Sequence, residues 1–146
     1  MGIKILLSLV FGILIGLERE RCGKSVGMRT VSLICIGATL FCLMSPNILD
    51  GDNSRVVAQI VSGIGFLGAG IIFKNGDSVH GLTTAATIWA AAAVGSLVGL
   101  GMFLEAFLGT AVILIINLGF RYVKIKTKKF TDSSNEDECD DNKSTS

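Results

Sequence analysis

Gly63, Gly65 and Gly68 spell GxGxxG within the stretch SGIGFLGAGIIF, Ser62 to Phe73. In a dinucleotide-binding loop that spacing lets the backbone approach a pyrophosphate at a helix N-terminus. The chemistry needs a strand before the loop, a helix opening inside it, and an acidic residue about 20 residues later. Here the glycines lie inside an apolar run, Val56 to Phe73, eighteen residues without a charge. At about 1.5 Å per residue it spans about 27 Å, close to a bilayer's hydrocarbon core. No acidic residue lies between Asp77 and Glu105. No nucleotide cofactor is therefore expected.

The other reactive residues are equally sparse. His80 is the single histidine, so one chain assembles no histidine metal site and no charge-relay triad. No GxxxxGK[ST] loop is present. Cys35 and Cys42 are seven residues apart, about 10 Å along a helix, too far for one disulfide or one metal ion. They read as small apolar filling. The net charge of +1 carries no nucleic-acid signal, and no nucleic acid is expected as a partner.

The elements that must position these residues are apolar. Half of the 146 residues are hydrophobic and 17% are charged, against about a quarter charged in a soluble domain. Five segments stand out: Ile5–Leu17, Thr30–Leu49, Val56–Phe73, Leu82–Leu100 and Met102–Phe120. The first does not read as a cleaved signal peptide, because its charges follow the apolar run rather than precede it. The expectation is an all-α membrane protein, a compact bundle of about five transmembrane helices spanning residues 1–126. Arg19, Arg21, Lys24, Arg29, Lys74, Arg121, Lys124, Lys126, Lys128, Lys129 and Lys143 fall on one side, and only Lys4 and Arg55 on the other. This split places the N-terminus outside and the C-terminus in the cytoplasm. Cys22 and Cys139 then lie where thiols stay reduced.

Residues 127–146 form a polar, acidic cytoplasmic tail too poor in apolar residues to fold. Its carboxylates, among them Glu136, Glu138 and Asp140, lack the loop spacing of a calcium site. The basic run RYVKIKTKK before it fits an inner-leaflet anchor.

Small residues recur at helical spacing in three segments. The first has Ser8, Gly12 and Gly16; the third has Ala58, Ser62, Gly65 and Ala69, widened by Gly63 and Gly70; the fourth has Ala91, Gly95 and Gly99. Lipid gives no hydrophobic drive between helices, so such stripes hold bundles together by close backbone packing. Glycine is also a poor helix former, and the third helix is expected to be kinked or broken.

Polar groups within the membrane are the functional candidates. Gln59 lies one turn from Arg55 and Gly63. Glu105 sits about 6 Å below the outer surface, at the depth of Arg55. It either pairs with Arg55 or reaches the interface. At the inner side, Glu18 and Glu20 are placed to neutralise Arg29 and close the first hairpin. Thr83 or Thr84 is expected to cap the fourth helix; the same helix start could receive an anion.

GLERER, GMRT, RVVAQIVSGIGFLGAGIIF and GLTTAATIWAAAAVGSLVGLG together resemble the MgtC/SapB family of bacterial inner-membrane proteins, from about Ile13 to Phe120. The resemblance implies about five membrane helices and a multi-pass place in the bacterial inner membrane. By motif it marks Glu18, Arg29, Arg55, Gln59, Gly63, Gly65, Gly68, Gly70, Gly81, Thr83, Thr84 and Trp89. It also implies roles attached to some members: adaptation to low magnesium, virulence inside macrophages, and restraint of the F-type ATP synthase. Longer members carry a soluble ACT-like domain where this sequence has its polar tail. The function expected is non-enzymatic, with modulation of another membrane complex through helix–helix contact or self-association. The alternative is a small magnesium- or proton-linked transporter or channel, for which the glycine-rich third helix would be the discontinuous element.

Overall fold

In hydrocarbon, backbone N–H and C=O groups must be satisfied within their own segment, so each apolar run becomes a helix. The structure, a computed structural model, describes residues 1–48 and 53–119. The expectations for the basic run 121–129 and the tail 127–146 lie outside them. The chain runs α1 (Gly2–Arg21), α2 (Met28–Ile48), α3 (Asn53–Ile71), β1 (Phe73–Asn75), β2 (Ser78–His80), α4 (Leu82–Leu100) and α5 (Phe103–Gly119). Stretches of α2, α3 and α4 are long and apolar enough to cross a membrane, and α5 is a shorter apolar helix. Met1–Leu114 form one compact unit. Ile115–Ser146 form a second, of which residues 115–119 are helical.

The first unit is built around α2, gripped from two sides by glycines. A Cβ on Gly12 of α1 would come within 2.6 Å of the Ser32 Cα, and one on Gly16 would overlap the Met28 backbone. From α4, a Cβ on Gly95 would overlap the Cys35 carbonyl, and one on Gly99 would come within 2.6 Å of the Cys42 Cβ. Ser32, Cys35, Thr39 and Cys42 are the buried face of α2 that meets these seams. The two cysteines are the small filling of that contact, and the Cys35 thiol donates to the Ala91 carbonyl at 3.2 Å.

Close approach makes hydrogen bonds between helices possible. Thr39 Oγ1 donates to the Gly95 carbonyl at 2.7 Å and lies 2.8 Å from Ser8 Oγ, joining α1, α2 and α4 at one point. Thr39→Val should lower stability by about 1 kcal/mol. Unfolding in detergent micelles measures this, with Thr110→Val as reference, since Thr110 bonds only its own helix.

Around the seam lies one apolar cluster, with Phe11 and Ile15 of α1, Val31 of α2, Ile88 and Val98 of α4, and Ala106 of α5. A smaller cluster joins Ile64 of α3 to Ala38 and Ala92. Only Ile64 and Gly68 of α3 are buried. Gly63, Gly65 and Gly70 have nothing within 4 Å of where a Cβ would stand. The stripe of the third segment therefore does not pack against the described residues. Nor is the helix broken, since α3 runs continuously from Asn53 to Ile71.

A further departure from the sequence reading lies between α3 and α4. The run expected to stay helical through Phe73 leaves the helix at Ile71 and forms a hairpin, pairing Phe73 with His80, Lys74 with Val79 and Asn75 with Ser78. Its two-residue turn, Gly76–Asp77, places Gly76 at φ +58°, a conformation glycine adopts without strain. All six paired residues are exposed.

Candidate functional site

Two places combine polar side chains with unusual surroundings. The first lies where α1 ends and α4 begins. The chain leaves α1 through Cys22 as C-cap and a left-handed Gly23 just beyond it, with Lys24 N–H bonded to the Arg19 carbonyl at 3.1 Å and Gly23 N–H to the Glu20 carbonyl at 3.0 Å. α1 therefore stays helical past its apolar part, and its buried face, Ser8, Gly12 and Ile15, continues into Arg19. Arg19 is 2% exposed and Glu18 7%. Arg19 Nη2 donates to Thr84 Oγ1 at 2.9 Å, tying α1 to α4. The Cys22 thiol donates to Glu18 Oε1 at 3.2 Å. Glu18 Oε2 and Arg19 Nε are enclosed without a hydrogen-bond partner. Burial lowers the Arg19 pKa, and the negative charge of Glu18 opposes that shift.

Arg19 did not stand out from the sequence. The signal was present in the spacing Ser8, Gly12, Ile15, Arg19, steps of four, three and four on one face. Arg29, expected to meet Glu18 and Glu20, is exposed and makes no ion pair with a described residue. Glu20 Oε2 instead accepts the Met28 N–H at 3.1 Å. A carboxylate at a helix start is favoured by the free amides and the helix dipole, and this contact displaces the expected pairing.

The threonines do not cap α4 either. Gly81 is the N-cap, and there is no side-chain capping hydrogen bond. Thr84 lies inside the helix, facing Arg19, while the exposed Thr83 uses its carbonyl to accept Thr87 Oγ1 at 2.8 Å. Gly81 sits at φ +88°, and a Cβ there would overlap the Ile71 carbonyl. It is the position where the hairpin folds back onto the end of α3. His80 stacks on Phe73 with ring centroids 5.4 Å apart, so the single histidine serves the hairpin. Trp89 stands half-exposed on α4.

The second place is α3. Ala58, Ser62, Gly65 and Ala69 are all exposed, as is Phe66 at 81%. At about 100° per residue this stripe lies roughly 200° around the helix from Ile60, Gly63 and Leu67, so the two sets occupy opposite faces. Those three residues, with Arg55 and Gln59, line a groove against α2. Glu105 is exposed on α5 and makes no ion pair with Arg55. The proposed pairing fails because the two helices join different clusters. Ala106 of α5 packs with α1 and α4, whereas Ile64 of α3 packs with Ala38 and Ala92. Among the described residues no three His, Cys, Asp or Glu side chains converge on a metal-sized site.

The ends of the helices are consistent with alternating spans. Arg19 meets Thr84 and Ile71 meets Gly81 at one end, and Lys4 Nζ donates to the Gly99 carbonyl at 2.8 Å at the other. The basic residues of the α1–α2 turn, and Lys74 of the hairpin, thus share an end.

Comparison with known proteins gives the family. The MgtC family model matches residues 5–125. An uncharacterized Synechocystis protein, slr0014, is 45% identical over 122 residues, 82% of this chain and 51% of that protein. Protein MgtC of Salmonella typhimurium is 44% identical over 119 residues, 82% of this chain and 52% of its own length. Protein MgtC of Brucella abortus is 51% identical over 110 residues, 74% of this chain and 46% of its own. The chain spans about half the length of these relatives. No solved structure matches it. With a bundle of apolar helices and a family match across most of its length, the chain is a multi-pass membrane protein that belongs to the MgtC family.

Proposed function

We propose that the chain is a non-enzymatic protein of the bacterial inner membrane that modulates another membrane complex by receiving one of its helices on α3. The observation that carries this reading is the outward stripe Ala58, Ser62, Gly65 and Ala69, exposed along a helix of which only Ile64 and Gly68 are buried. In lipid, small side chains add no burial of their own, but they let a second backbone come close. Glycine in a helix costs about 0.5–1 kcal/mol relative to alanine, and among the described residues nothing lies within 4 Å of where a Cβ on Gly65 would stand. The N-terminus is placed outside and the C-terminus in the cytoplasm, on the distribution of lysine and arginine. On the family resemblance, the F-type ATP synthase is the first partner to test, in adaptation to low magnesium or to the host cell. The transporter alternative has lost its geometric motive, since α3 is unbroken.

A photo-crosslinking residue at Ser62 in native membranes tests the proposal. The expected product is an adduct with a different membrane protein, lost in Gly65→Leu. Adducts with copies of this chain alone would overturn it. So would magnesium or proton flux into liposomes carrying the pure protein, which supports the transporter.

A further inference from the structure

A groove of about 820 Å³ runs between α2 and α3, its apolar wall of Ile60, Gly63 and Leu67 on the side of α3 away from the small-residue stripe. Its walls are bulky and apolar, with Leu33 and Phe41 of α2 facing Ile60 and Leu67 of α3. Among the described residues, Arg55 and Gln59 are the only charged or amide side chains lining it. They are four residues apart, hence on one helix face, at the N-terminal end of α3. From Arg55 to Leu67 the groove extends about 18 Å along the helix, at about 1.5 Å per residue. That is close to one leaflet's share, about 15 Å, of a 30 Å hydrocarbon core.

A cation at one end and a leaflet's depth of apolar wall match one kind of molecule. We propose that this groove holds an acyl chain of an anionic phospholipid, with its phosphate on the Arg55 guanidinium and the Gln59 amide. A guanidinium binds phosphate through paired N–H donors, and Arg55 forms no ion pair with a described residue. A partner helix fits less well. A helix is about 10 Å wide with its side chains and packs closely over small residues, whereas bulky side chains hold this groove open. Gly63 lies in its wall, with nothing within 4 Å of where a Cβ would stand. The lipid site does not depend on the outward face of α3 being a docking surface.

The test is native mass spectrometry of the full chain in mild detergent, offered equal amounts of phosphatidylglycerol and phosphatidylcholine with identical chains. The wild type should retain phosphatidylglycerol preferentially. Arg55→Gln should weaken that retention about tenfold, as loss of a charge-assisted hydrogen bond does, and Arg55→Lys should restore most of it. Gly63→Phe, placed in the groove wall where a Cβ meets nothing within 4 Å, should reduce retention of both lipids. Asp50 and Asp52 precede Arg55 in sequence, and neutralising both as asparagine should leave the preference for phosphatidylglycerol in place. Equal retention of the two lipids overturns the proposal, as does an unchanged preference in Arg55→Gln. A dimer mass that excludes lipid also overturns it, because a second copy would then occupy the groove. If Gly63→Phe fails to fold, as judged by thermal unfolding, the Arg55 pair decides alone.

Discussion

Gly95→Ala should destabilise the bundle by about 3 kcal/mol, at the upper end of what overpacking costs, whereas Gly63→Ala should stabilise it by up to about 1 kcal/mol. The two substitutions add the same methyl group to a helix. They differ in what the methyl meets. At Gly95 it overlaps the Cys35 carbonyl, and the Cys35 carbonyl carbon and Cα lie 2.9 Å away. A backbone cannot rotate aside as a side-chain tip can, so α2 and α4 must separate. That separation also stretches the Thr39 bond to the Gly95 carbonyl and exposes the Cys35–Ala91 contact. At Gly63 the methyl meets nothing within 4 Å, and the helix gains the propensity of alanine. Unfolding by denaturing detergent in mixed micelles, monitored by circular dichroism, separates the two. Equal effects would mean that the α2–α4 seam is not where the structure puts it.

Arg19→Ala should be the most damaging charge deletion in the described chain, at about 3–5 kcal/mol. The guanidinium is buried beside Glu18, and its Nη2 bonds Thr84 across to α4. Removing it leaves the Glu18 carboxylate enclosed with only the Cys22 thiol as donor. A buried charge without compensation is costly, because the protein replaces neither its hydration nor its counter-charge. Glu18→Gln with Arg19→Gln should therefore cost less than the sum of the single changes, a coupling that a double-mutant cycle reads directly. Thr84→Val should cost about 1.5 kcal/mol, the loss of one hydrogen bond to a charged group. Arg29→Ala, at an exposed position of the same helical hairpin, should stay within about 0.5 kcal/mol. If Arg19→Ala behaves like Arg29→Ala, the buried cluster does not hold α1 to α4.

The apolar runs were legible because a bilayer demands them. Leu82–Leu100 read from the sequence is α4 to the residue, since glycines bound it on both sides. Both ends of α1 and the end of α3 were displaced. A helix does not stop where hydrophobicity stops, so α1 continued through Glu18 and Arg19. Conversely, apolar character did not keep Phe73 helical once Gly76 and Asp77 offered a two-residue turn. Arg55 and Gln59 were recognised as polar candidates, but their common groove with α2 depends on how far α3 stands from its neighbour, which no spacing encodes.

By itself the sequence determined the number and order of the helices and the place of the GxGxxG glycines inside an apolar run. Both follow from local properties, the length of apolar runs and the residues that flank them. Tertiary structure alone decided which glycines are used within the chain. A glycine stripe is the same signal on every helix, but packing is a property of pairs of helices. Those of α1 and α4 close on α2, and all but Gly68 of the α3 glycines are left open. It likewise decided that Arg19 rather than Arg29 is the buried cation, because only the docking of α1 on α4 takes water away from one of them.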